Sequence, residues 1–171
     1  MIPSGRLVSL SPFGPGDLTD AYIGWLNDAE VTRFSNQRFV RHDRASCTAY
    51  LASFAGTPNL FLSVKRLTDM APVGTITVYR NIHHGTADVG IMIGERACWG
   101  GGYGQDAWST VINWLLSDVG LRKVTAGTLA DNIGMVRLMQ RSGMVCEGIR
   151  RGQELLDGVP CDVVLYARFA P

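Results

Sequence analysis

The chain has 171 residues, 46% of them apolar and 18% charged, with a formal net charge of +1. That length and apolar fraction suit one domain over residues 1–171 with a real core, and the near-neutral balance argues against nucleic acid or an anionic membrane as partner. No run approaches the about 18 unbroken apolar residues of a membrane span, and the opening MIPSGRLVSL lacks the regions of a secretory signal, so a cytoplasmic protein is expected.

In chain order, residues 6–10 read as a short strand closed by the turn-rich SPFGPGD. Asp17 is a candidate cap for a helix through Leu26, with Leu18, Ala21, Tyr22 and Trp25 on one face. Residues 30–41 show no period and read as irregular. A second helix is expected from about Asp43, stopping at Gly56-Thr57-Pro58. Residues 60–67, 73–79 and 87–93 are rich in β-branched residues and read as strands. A long helix follows over 104–118, where the pairs Ala107/Trp108, Val111/Ile112 and Leu115/Leu116 repeat at helical spacing, and Gly120 ends it. Residues 123–129 then read as a strand, 132–142 as a short helix, and 145–155 with 159–169 as a hairpin about Asp157-Gly158. The order is β-α-α-β-β-β-α-β-α-β-β, a mixed α/β domain without linker or repeat.

Cys47, Cys98, Cys146 and Cys161 are scattered, with no CxxC pair and no histidine at ligand spacing, so free thiols and no metal are expected. Trp99, Trp108 and Trp114 cluster in sequence, but Trp108 lies on the apolar helix stripe, which reads as core packing rather than a base-stacking platform.

The most distinctive stretch is CWGGGYGQDAW, residues 98–108, with four glycines in five residues at the mouth of the long helix. Glycine permits a tight turn. Bare N–H groups at a helix start also face outward at the positive end of the dipole and can receive a phosphate. Residues 102–107 match G-x-G-x-x-A, but a whole βααβββ block precedes the strand before them. The acidic residue a dinucleotide fold places about twenty positions on is also missing, since Asp118 is too early and Asp131 late.

Trp99-Gly100-Gly101-Gly102-Tyr103-Gly104 resembles the [QR]-x-x-G-x-[GA] signature of the GNAT superfamily of acetyl-CoA-dependent N-acetyltransferases. Tryptophan at the leading position resembles the RimJ/RimL-like branch, where W-G-x-G-Y-[AG]-x-E-A is common; Asp106 stands where Glu is usual. The second signature, N-x-x-[AS]-x-x-L-Y-x-x-x-G-F, is similar at Asn132, Leu138 and Gly143, with Met135, Met139 and Met144 at its other marked places. The element order agrees along nearly the whole chain. The resemblance implies a GNAT-like α/β (α+β) fold: a mixed, mostly antiparallel sheet of about seven strands, helices on both faces, and splayed strands four and five.

It also implies acetyl-CoA as co-substrate, with no metal. The pyrophosphate would be cradled by Trp99, Gly100, Gly101, Gly102, Tyr103, Gly104 and Gln105, and the pantetheine arm would meet main-chain groups of Met92 and Ile93. Ile93 or Gly94 would polarise the thioester carbonyl. Asn132 would place the pantetheine or act as a helix cap, and the two roles are compatible. Acetyl transfer needs a base. Asp88 is the first candidate, against a solvated strand-end carboxylate, with Glu95 and the turn pair His83-His84 behind it. The tyrosine or serine that serves as acid in relatives is replaced by Met139 and Met135, which donate no proton. Solvent or Ser142 must serve, unless the chain is a non-catalytic CoA-binding module.

Acceptor selectivity in this family comes from the segment between the first two helices and from the last hairpin. Arg33, Arg38 and Arg41, with Arg150 and Arg151, could receive phosphates or carboxylates, or be surface charges; His84 is a further substrate-binding candidate. The acceptor is expected to be a small amine such as a nucleotide-linked amino sugar, or a protein N-terminus. Neither nucleic acid nor membrane is expected, and a homodimer is compatible with the sequence.

Overall fold

The computed structural model describes residues 2–171. Seven strands form one sheet: β1 (Val8–Pro12), β2 (Leu60–Arg66), β3 (Pro72–Asn81), β4 (Thr86–Ile93), β5 (Lys123–Leu129), β6 (Val145–Leu156) and β7 (Val159–Phe169). The order across the sheet is β1-β2-β3-β4-β5-β7-β6. Every pairing is antiparallel except β4 with β5. Five helices accompany it: α1 (Asp20–Asn27), α2 (Ala29–Thr32), α3 (Arg44–Ala52), α4 (Tyr103–Ser117) and α5 (Ile133–Arg141).

Alternation along the strands divides the apolar residues between two faces. Val8, Leu10, Leu62, Val64, Ile76, Val78, Ala87 and Val89 meet the stripe of α4, where Trp108, Val111, Ile112 and Leu115 are fully buried. Each large side chain so buried stabilises the fold by about 1.5–3 kcal/mol. On the other face an aromatic cluster seats α1 and α3. Phe13 stacks on Phe61 with centroids 4.3 Å apart, and Tyr22 and Trp25 close over them.

The helix expected from Asp17 begins a turn later. Thr19 caps α1 by accepting the Tyr22 N–H, while Asp17 closes a 3-10 turn at Pro15 and pairs with Lys65 at 2.7 Å. The segment expected to be irregular contains α2 and a 3-10 turn at Asn36–Phe39, capped by Asp28 and Ser35. Side-chain caps supply local hydrogen bonds there without any apolar period. The last hairpin turns on Asp157 and Gly158, both with positive φ (52° and 81°), the backbone a two-residue hairpin requires.

One long-range contact ties the amino-terminal segment to α4. The Asp106 carboxylate accepts the N–H groups of Arg6 (3.0 Å), Leu7 (2.7 Å) and Val8 (3.1 Å). A Cβ at Gly5 would run into the same carboxylate. Asp106 lies in the first turn of α4, so its charge also complements the helix dipole. Removing a charged acceptor strands its donors, at about 1.5–3 kcal/mol for a single charged hydrogen bond. Asp106→Ala is therefore expected to lower unfolding free energy by about 2–3 kcal/mol in urea denaturation. A loss under about 0.5 kcal/mol, the level of an ordinary surface substitution, would show that the segment is held by packing alone.

Candidate active site

β4 and β5 pair only at Thr86↔Lys123, Ala87↔Val124 and Asp88↔Thr125. β4 then continues to Ile93 and β5 to Leu129 without further pairing to each other. The strands thus open into a gap whose root is Asp88 and whose mouth adjoins the glycine loop. Main-chain groups alternate sides along a strand, and three contacts fix their parity. The Gly94 N–H donates to Val73 of β3, the Ala87 carbonyl accepts from the Thr125 hydroxyl, and the Ile93 carbonyl accepts from the Trp99 indole at 2.8 Å. Groups of Ile91 and Ile93 therefore face the gap, while those of Met92 face Thr75 on β3. This corrects two sequence expectations. Met92 offers its side chain to the aromatic cluster and its main chain to β3; Ile91 holds the gap position instead. Gly94 has its N–H committed to Val73, which leaves Ile93 as the N–H available to a carbonyl.

Across the gap the same parity turns Gly127 toward β4, because the Ala130 N–H is taken by Asp162 on the β7 side. A glycine inside a strand signals close approach of another group, and here a Cβ would press on the Leu165 side chain of β7 at 3.0 Å. Gly74 and Gly94 hold β4 in place by their lack of a Cβ. One added at Gly74 would strike the Met92 carbonyl, and one at Gly94 would strike the Trp25 ring.

At the mouth, Gly100 (φ 74°) and Gly102 (φ 84°) adopt left-handed backbone. Gly102 is the N-cap of the fifteen-residue α4 and supplies no side-chain cap, so the first-turn N–H groups are left for an outside acceptor. Asp106 does not compete for them, since its carboxylate is turned to residues 6–8. Trp99 is braced by its bond to Ile93, linking loop and gap. The Gln105 side chain is directed away from the loop, donating to Ser142 (2.8 Å) and Ser109 (3.1 Å) between α4 and α5. Only its main chain remains a loop group.

Asn132 is a helix cap. Its Oδ1 accepts the Met135 N–H, its Nδ2 donates to Thr128, and its main chain bonds Leu129 and Val136. The side chain caps α5 and holds Thr128, and its amide retains a further donor hydrogen and acceptor lone pair. Met139 is fully buried in the core and faces no departing thiolate; Met135 is only partly buried. Ser142 is buried with its hydroxyl donating to the Leu138 carbonyl, so it offers no free proton.

The Asp88 carboxylate accepts from Thr125 at 2.8 Å and lies beside Tyr79, its partner on β3. The residue keeps an open edge to solvent. Protein packed around the carboxyl nevertheless desolvates it and pushes its pKa above the ordinary 3.8, outweighing the lowering effect of the Thr125 bond. His84 lies in the β3–β4 turn, at the end of β4 remote from the glycine loop. It is not brought to the gap, because the strand runs between them. Glu95 caps a 3-10 turn through the Ala97 N–H.

Arg33 and Arg38 do reach the acceptor side, yet both are engaged. Arg33 pairs with Asp157 at 2.9 Å, and Arg38 donates to the carbonyls of Ser35 and Leu155. They brace the loop after α2 against the last hairpin. Between these elements lies a depression of about 140 Å³, with Phe34 and Asn36 on one wall, Gly127, Thr128 and Leu129 as floor, and Glu154 and Val163 opposite. Sequence reading missed Glu154, because nothing local marks a charged residue in a hairpin as facing a cavity.

A family model described as an acetyltransferase (GNAT) domain matches residues 7–145. The chain belongs to this family and is an acetyl-CoA-dependent acetyltransferase, with acetyl-CoA as co-substrate. The uncharacterized N-acetyltransferase YoaA of Bacillus subtilis (strain 168) is 23% identical over 156 residues, covering 89% of this chain and 88% of that protein. Spermidine N-acetyltransferase from Vibrio cholerae, solved with CoA and spermine, superposes with a TM-score of 0.86 at 16% identity over 96% of both chains. Ribosomal-protein-S5-alanine acetyltransferase from Vibrio fischeri gives 0.81 at 15% identity, over 96% of this chain and 94% of that one. At these identities the two structures establish the fold. Among the described residues no three His, Cys, Asp or Glu side chains cluster as metal ligands, and no helix is long and apolar enough to cross a membrane.

Proposed function

We propose that the chain transfers the acetyl group of acetyl-CoA to a primary amine of a small molecule at the β4–β5 gap. The observation that carries this reading is the junction of the uncapped α4 N-terminus with a strand edge whose main-chain groups face outward. The N–H groups of Gly100 and of residues 102–105 suit a pyrophosphate, with Trp99 and Tyr103 beside them, while the Gly101 N–H closes the loop on the Cys98 carbonyl. An open strand edge of this kind suits the amides of a pantetheine arm, much as an added strand would. The Ile93 N–H would stabilise the carbonyl oxygen as charge develops on it.

The acceptor nitrogen attacks the thioester carbonyl carbon and the carbon–sulfur bond breaks. Asp88, at the root of the gap, takes the amine proton through intervening waters. The thiolate takes its proton from solvent, which suits a leaving group whose thiol pKa is about 8.5. A nucleotide-linked amino sugar would have to draw Arg33 from Asp157 or Arg38 from its two carbonyls, so an anionic acceptor is the weaker fit.

A second reading, RimJ/RimL-type transfer to a protein N-terminus, is supported by the W-G-x-G-Y pattern and by the likeness to the S5-alanine enzyme. Thiol release from acetyl-CoA, followed with alkylamines, an amino-sugar nucleotide and N-terminal peptides, separates the two. Turnover is expected with the small amines. Turnover confined to peptides would replace this reading with the second.

A further inference from the structure

The depression beside the gap contains one ionisable side chain, Glu154. On β6, Glu154 pairs with Cys161 of β7 and shares its face with Leu156 two residues on. Leu156 is buried with Leu129 and Cys161, and Phe34 and Val163 pack against them. The carboxylate therefore stands half-buried at the edge of an apolar patch, on the same side of the sheet as the opening at Gly127. No cation forms an ion pair with it: Arg33 is paired with Asp157 and Arg151 with Asp162, and Arg38, without a carboxylate partner, spends its donors on the Ser35 and Leu155 carbonyls. Among the described residues the Glu154 carboxylate has no ion-pair or hydrogen-bond partner of its own.

An unpaired carboxylate facing a cavity with no cation in its lining selects for positive charge in whatever enters. β6 lies two strand spacings from β5, roughly 10 Å, and the glutamate side chain spans part of that distance. We infer that the acceptor carries a second cationic group, separated from the reacting amine by a short alkyl chain, and that Glu154 holds this group while the amine sits at the gap. The substrate class is then a diamine or similar amino-cation. The methylenes between its charges lie against Leu129 and Val163, and Asn36 adds an amide at the far wall. This inference rests on the small-amine reading above and goes beyond it by naming the charge of the acceptor and the residue that reads it.

Steady-state acetylation of diaminobutane and butylamine tests it. The wild-type chain is expected to favour the diamine by at least about tenfold in kcat/KM, mainly through KM. Glu154→Gln, close to isosteric, should bring that ratio near unity while leaving the Kd for acetyl-CoA unchanged, and Glu154→Asp should restore part of the preference. A wild-type ratio near one, or a ratio untouched by Glu154→Gln, overturns the proposal. If neither amine is acetylated although acetyl-CoA binds, the small-amine reading fails on its own. Calorimetric binding of diaminobutane to the CoA-saturated chain then decides the role of Glu154. Binding lost in Glu154→Gln supports the cation site, and no binding by wild type, or binding unchanged in the variant, removes it.

Discussion

Replacing Asp88 by Asn is expected to lower kcat by about a hundredfold to ten-thousandfold, the range associated with a positioned general base. Asparagine keeps the shape and can still meet the Thr125 hydroxyl, which donates to the carboxylate at 2.8 Å, but it accepts no proton. Burial is the largest influence on the Asp88 carboxyl and holds its pKa above the ordinary 3.8. The base is active only when ionised, so activity should rise with pH through that elevated value. The acid limb of kcat/KM should therefore lie above pH 3.8 in wild type and vanish in the variant.

Stability gives an independent sign. A carboxyl whose folded pKa exceeds its unfolded one disfavours folding once ionised. That cost is absent below the unfolded value and complete above the folded one. Asp88→Asn should therefore unfold no more easily than wild type at neutral pH. A variant that is less stable, with kcat unchanged, would mark Asp88 as a structural partner of Thr125 and not a base.

Gly102→Val should weaken acetyl-CoA binding by at least about tenfold, equal to about 1.4 kcal/mol. Space is not the obstacle. A Cβ at this position would meet only the Leu7 Cδ1, at an ordinary 3.4 Å. The obstacle is the backbone, for Gly102 holds φ 84° and ψ −7° as the N-cap of α4. A left-handed conformation costs an L-residue roughly 1–2 kcal/mol, and a β-branched one tolerates it worst. Valine is expected to rotate the peptide that precedes α4 and to place two methyl groups where a pyrophosphate would lie. Calorimetry on the variant, with circular dichroism to check folding, reads the effect. Gly102→Ala should fall between the two, separating backbone strain from side-chain bulk. Unchanged affinity in a folded Gly102→Val would remove the phosphate site from this loop.

Much of the architecture was legible along the chain. The apolar pairs of α4 repeat at helical spacing, β5 was bounded correctly by its own β-branched run, and Asp157-Gly158 demanded a hairpin. These signals depend on residues within a few positions of one another, where propensity, period and turn chemistry act. The glycine loop was visible for the same reason, since its backbone requirement is local.

Tertiary structure decided what each reactive group faces. Met92 and Ile91 look equivalent in sequence, but the pairing of β4 with β3 sends the groups of one into the sheet and of the other into the gap. Asn132 turns its amide to Met135 and Thr128, four residues or fewer away, once α5 has formed. Met139 is withdrawn into the core by the way α5 packs. Asp106 serves a segment a hundred residues upstream, and Arg33 finds its counter-charge 124 residues downstream. Glu154 is left without one. Which charges are satisfied depends on distances across the fold, and a Coulomb interaction that short range makes strong has no counterpart in sequence separation. The chemistry of transfer was therefore readable from two local motifs, whereas the charge of the acceptor became arguable only once the hairpin was paired beside β5.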